Sequence, residues 1–145
     1  MTSQLNVDTI VDKAGSGGTN VKMANTSTYV SDGGNATQNT VQGLTKAWVN
    51  FNGSTFGIND SFNVGSMTDN STGDYTVTFS NALSSANFST TANTLRISGD
   101  QSSVVMPTAY TTAKVELETW RENAGAGSVA ADHSLVSASI SGDLA

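Results

Sequence analysis

The sequence predicts an all-β fold: an antiparallel β-sandwich or small jelly-roll-like domain preceded by an extended N-terminal arm. Three observations carry this. Apolar residues recur at a period of two in several short runs, as where Tyr75, Val77 and Phe79 alternate with Thr76 and Thr78. Clusters of Asn, Gly, Ser and Asp, which favour turns, separate those runs. β-Branched residues abound, and their stiff side chains suit strands better than helices. A length of 145 residues allows one ordinary domain with an additional arm.

Taken in order, residues 1–43 form the arm and linker, and residues 44–145 the antiparallel β domain. Leu5, Val7, Ile10 and Val11 give the start of the arm a short extended pattern, which Gly15, Gly17 and Gly18 interrupt. Residues 19–39 are rich in Asn, Thr, Ser, Ala and Gly, with Val21, Met23, Tyr29 and Val30 as scattered anchors, and read as an irregular linker. Regular structure starts near Leu44. Ala47, Val49 and Phe51 face one way there, while Lys46, Trp48 and Asn50 face the other.

Phe56, Ile58, Phe62 and Val64 form the next apolar set, interrupted at Asn59-Asp60 and continued by residues 66–68. Residues 69–74, DNSTGD, signal a turn in which Gly73 can take positive φ, so residues 75–79 return antiparallel. Residues 81–89 read as a loop anchored by Leu83 and Phe88. Residues 94–98 form a strand, and residues 104–106 a brief extended segment ended by Pro107. The clearest later strand covers residues 112–120. The glycines of NAGAGS follow, with a weak case for a short helix over residues 123–132, and Val136, Ala138 and Ile140 mark the last strand.

Composition narrows the function classes. A hydrophobic fraction of 37% is modest, so the chain holds a small core or shares one between subunits, and homo-oligomerisation is expected. The net charge is −6 with no Lys/Arg cluster, which disfavours nucleic acid. Cysteine is absent, removing disulfides and thiolate chemistry. No apolar run is long enough to insert into a membrane, and residues 1–15 do not read as a signal peptide. No cofactor is expected either: Gly15–Gly18 lacks the Gly-Lys-Ser/Thr ending of a phosphate loop.

Residues 46–53 (KAWVNFNG), then Ser61-Phe62-Asn63-Val64, then Asp69-Asn70 with Thr72-Gly73-Asp74-Tyr75-Thr76-Val77, resemble a β-rich module recurrent in tail-fibre and other virion surface proteins of tailed bacteriophages. Residues 5–15 look like the start of many such proteins, and residues 134–140 resemble the module's closing strand. The resemblance extends over roughly residues 45–140. It implies a homotrimer made in the host cytoplasm and carried on the virion, with the arm, through Leu5, Val7, Ile10 and Val11, docking to other virion structural proteins. A long fibre would need a shaft, which this chain lacks, so a short fibre, a capsid decoration or an adaptor-like tip fits. The function expected is attachment to host-surface polysaccharide without catalysis. The alternatives are a capsid decoration or stabilising protein and a polysaccharide depolymerase.

Aromatic rings stack on the apolar faces of sugars while amides and carboxylates bond the hydroxyls, so Trp48, Phe56, Tyr110 and Trp120 are the candidates for a glycan-binding surface. The same residues suit core or subunit packing, and that reading is the stronger. Glu116 and Glu118 share one strand face, as a glycosidase pair or simply a solvated face would. Asp69, Asn70 and Asp74 are better explained by a turn than by a calcium loop. His133, the single histidine, reads as a surface residue before the last strand. Neither a catalytic nor a metal site is assigned.

Overall fold

The computed structural model describes residues 27–31, 36–123, 125 and 127–143. The regular structure among them is all strand, in chain order β1 (Thr28–Val30), β2 (Thr37–Asn39), β3 (Thr45–Asn52), β4 (Gly57–Phe62), β5 (Val64–Ser71), β6 (Asp74–Phe79), β7 (Ser89–Thr94), β8 (Ser102–Thr111), β9 (Lys114–Asn123), β10 (Gly127–Ala130) and β11 (Val136–Ser141). Every pairing between them is antiparallel.

Two sheets build the domain. The first runs β4-β3-β11-β7. In the second, β5 pairs β6, β6 pairs β9, and β8 lies along the opposite edge of β9 from β6, because Lys114 is opposite both Thr78 and Thr111. β10 continues the row of β6, taking β9 from Trp120 to Asn123. The inward residues of both sheets meet in one core: Ala47, Val49 and Phe51 of β3 and Val136, Ala138 and Ile140 of β11 with Tyr75, Val77 and Phe79 of β6 and Val115 and Leu117 of β9. Full burial of each large apolar side chain contributes about 1.5–3 kcal/mol. Phe51 and Tyr75 add an edge-to-face contact at 4.9 Å between ring centres. Leu83, from the loop after β6, closes the cluster, as expected of that anchor.

The edge strands differ most from the sequence expectation. β8 continues through Pro107 to Thr111 instead of ending there. It pairs only with β9, so the missing proline N–H costs no second ladder, and a bulge between Pro107 and Ala109 absorbs the irregularity. β7 begins at Ser89, earlier than the strand expected over residues 94–98, and Leu95 is left exposed beyond its end. Its sequence, STTANT, has little apolar signal; its place comes from full pairing with β11. Within the weak helix expected over residues 123–132 lies β10, set by pairing with β9.

Of the arm, residues 1–26 and 32–35 lie outside the described residues, and with them Leu5, Val7, Ile10 and Val11. Part of the linker read as irregular is the hairpin of β1 and β2. Lys46, expected to face outward, is buried because its ammonium donates to the carbonyls of Val41 and Leu44. Burial lowers its pKa, against the opposing charge of Asp143. This anchor ties the linker to the first strand of the core.

Candidate functional site

The candidate aromatics are not gathered into one site. Phe56, in the turn after β3, stacks nearly parallel on Tyr75 at 6.2 Å and covers the core's rim. Tyr110 packs edge-on against Phe88 at 5.0 Å, which packs in turn on Phe79, so its contacts also join it to the core. Trp48 sits half-buried on the outward face of the first sheet, in register between Phe62 and Ser139. The polar groups beside it satisfy one another: Asn50 donates to Ser137 Oγ at 2.7 Å, and Asn59 donates to Asn50 Oδ1 at 2.8 Å.

Trp120 is the exception. On the outward face of the second sheet, β8, β9 and β10 line a groove of about 330 Å³ with Ser102, Val104, Met106, Trp120, Glu122 and Ser128, while Arg121, in register with Ser103 and Val129, turns its side chain to the other face. The register explains the gathering: Trp120 stands opposite Val104, Glu118 opposite Met106, and Glu122 opposite both Ser102 and Ser128. An aromatic plane is thereby flanked by two apolar side chains that are each more than 40% exposed, an unusual surface for a solvated strand face. The volume is at the small end of the roughly 300–1,000 Å³ typical of ligand sites. Trp120 Nε1 donates to Glu118 Oε2 at 3.1 Å, which fixes the indole, and Ser102 Oγ donates to Glu122 Oε2 at 3.2 Å.

Behind the groove lies a charged pair. Arg121 reaches Asp100 with Nη1 3.8 Å from Oδ1. The Asp100 side chain is only 4% exposed, and its Oδ2 and Arg121 Nε have no hydrogen-bond partner. Arg96 adds a second guanidinium, donating to the Asp100 carbonyl.

A second polar cluster is fully engaged. Asp132 Oδ1 accepts from Gly73 N and from Tyr75 Oη, both at 2.7 Å. Burial first, and then this carboxylate, push the Tyr75 phenol above its usual pKa range. Gly53 N donates to the carbonyl of His133, and a side chain at Gly53 would strike the Tyr75 hydroxyl. His133 is fully buried, not on the surface: the crossing from β10 to β11 carries it inward, and Nδ1 donates to the Leu95 carbonyl at 3.1 Å.

The acidic candidates fall into ordinary roles. Asn70 donates to Asp74 Oδ1 and Thr76 Oγ1 within the β5–β6 turn. Glu116 pairs with Lys114 at 2.5 Å, and Glu118 holds Trp120. Among the described residues, no three His, Cys, Asp or Glu side chains come together as a metal site. Thus the sequence named Trp120 but missed Val104, Met106 and Ser128, which only cross-strand register brings to it. Comparison of the chain with protein-family models, with curated proteins and with solved structures finds no match.

Proposed function

We propose that this chain is a non-enzymatic virion surface protein, a homotrimeric β-sandwich module that attaches to host-surface glycans through the groove at Trp120. The carrying observation is that groove. An indole held by Glu118 stands opposite Val104, with Met106 one pair along on the same face and hydroxyl and carboxylate groups of Ser102, Glu122 and Ser128 around it. Such a surface suits a sugar ring, whose apolar face stacks on the indole while its hydroxyls meet the polar rim. The virion setting and the trimer rest on the sequence resemblance. Three copies would present three grooves, and their summed weak contacts would exceed the strength of one.

Binding of the full chain to an oligosaccharide array, and to whole host cells, tests the reading. Trp120→Ala should weaken glycan binding by about tenfold or more, the loss of one stacking aromatic, with the β-sheet circular dichroism unchanged. Equal binding by the folded variant would remove the groove from the function. The decoration alternative draws on one observation: Tyr29 and Val30 of β1, in the linker, and Leu44, just before β3, are at least half exposed. If those apolar residues seat on another virion subunit, substituting them would release the chain from particles without touching glycan binding.

A further inference from the structure

We infer that the Trp120 groove takes a protonated amino sugar, a hexosamine whose nitrogen is a free ammonium, in preference to the same sugar N-acetylated. The inference rests on the glycan-binding reading and adds the chemical class of the sugar.

The charge of the groove face carries it. Lys114, Glu116, Glu118, Trp120 and Glu122 alternate with the inward residues of β9, so all five stand on the outward face. Asp74 of β6 joins them, directly opposite Glu118. Among the described residues, Lys114 is the one basic group at the outward strand positions of this sheet, and Glu116 takes it at 2.5 Å. Arg121 brings no positive charge here, because it points to the other face and pairs there with buried Asp100. Glu122 in the groove and Glu118 beside its indole are therefore left without a basic partner among the described residues.

The aromatic ring gives that charge a particular use. Glu118 and Glu122 flank Trp120 on the strand, each about 7 Å along it. Both accept from neutral donors, Glu118 from the indole N–H at 3.1 Å and Glu122 from the Ser102 hydroxyl at 3.2 Å, so each keeps its negative charge. A cation is attracted to an indole face within about 6 Å of the ring centre, and an ammonium seated there also lies within reach of both carboxylates. Its N–H groups suit acceptors that cannot donate. The sugar ring that carries it rests against exposed Val104 and Met106. N-Acetylation removes the charge, and with it both attractions, while leaving the apolar face of the ring to stack.

The test measures binding of the full chain to glucosamine oligosaccharides with free amines and to the same oligosaccharides N-acetylated, at a pH below the amine's pKa, in low and in physiological salt. The free-amine set should bind about tenfold more tightly, with the margin narrowing as salt rises. Glu118→Gln and Glu122→Gln keep an oxygen for the indole N–H and the Ser102 hydroxyl, and each should cut the margin by about threefold. Asp60→Asn, which removes one charge from exposed β4 of the other sheet, should leave the margin in place. Trp120→Ala, which leaves the chain at −6, should abolish it. A margin that survives in folded Trp120→Ala, or that falls as far in Asp60→Asn as in the glutamate variants, would trace the preference to net charge and overturn the inference. Equal binding of both sets by the wild-type chain would overturn it too, while leaving the glycan reading standing. No binding to either set, or to any other sugar on a broad array, would remove the glycan reading itself.

Discussion

Asp132, in the link between β10 and β11, and Asp100, in the link between β7 and β8, are two carboxylates placed among strand ends with opposite hydrogen bonding. Asp132 accepts two short bonds at one oxygen, from Gly73 N and Tyr75 Oη, and its backbone carbonyl accepts from Ser54 Oγ at 3.0 Å. Around it Thr119 Oγ1 donates to the Ala131 carbonyl at 2.6 Å, and Gly53 N to that of His133. Asp100 is the more buried, yet one oxygen has no partner and the other faces Arg121 at a distance beyond a hydrogen bond. The first carboxylate ties the β5–β6 turn and β6 to the β10–β11 link, while the same residue's carbonyl holds the β3–β4 turn; the second has only a long ion pair with Arg121. Good hydrogen bonding marks the group that the fold depends on, and poor hydrogen bonding marks the one that adds little to it.

That contrast breaks most visibly at Gly73. Its φ is +70°, and an added Cβ would lie 2.5 Å from the Thr119 carbonyl and 2.9 Å from Ala131 N. Gly73→Ala should cost about 3 kcal/mol or more of stability, or prevent folding, in a denaturant melt. A loss below about 1 kcal/mol would show that the corner yields.

Tyr75→Phe comes next, with an expected loss of about 1–3 kcal/mol, because it removes a buried hydrogen bond to a carboxylate. It also carries a pH signature. The folded phenol keeps its proton above pH ~10, where the unfolded phenol sheds its own, so the stability from this group is full below that pH and falls as pH rises. Melting curves between pH 8 and 11 should show a steeper alkaline decline in the wild-type chain than in the Phe variant. Equal slopes would mean that Tyr75 ionises as readily folded as unfolded.

The smallest stability change is expected for Asp100→Asn, within about 1 kcal/mol, since the pair is long and under-bonded and its guanidinium is partly exposed. A large stability loss there would make Asp100 a second Asp132 and dissolve the comparison.

How much of this was legible follows from where the information sits. The central strands were readable because each carries its own alternation: Ala47-Val49-Phe51, Tyr75-Val77-Phe79, Val115-Leu117 and Val136-Ala138-Ile140 are the core that those periods predict. Ser89–Thr94 has no such signal; β11 makes it a strand by hydrogen bonding. Pro107 reads locally as a stop, and only its place on an edge makes it harmless. His133 looks like a surface residue because it is polar, while the Leu95 carbonyl that accepts its hydrogen bond is 38 positions away. Likewise Trp48 and Trp120 both occupy outward positions of a central strand. Their neighbours across the sheet, Phe62 and Ser139 for one and Val104 and Ala130 for the other, are set by register, which no local period encodes.

The pairing of β3 with β11 also orders events during synthesis. All the strands of the second sheet, β5, β6, β8, β9 and β10, precede β11 in the chain, so that sheet can assemble while translation continues. The first sheet cannot: β3, among the earliest strands, and β7 both wait for residues 136–141 to fill the place between them. A long-range closure of this kind folds slowly and leaves two strand edges open in the meantime. The nascent chain is therefore most exposed to wrong pairing, including with strands of its own neighbours, just before β11 leaves the ribosome.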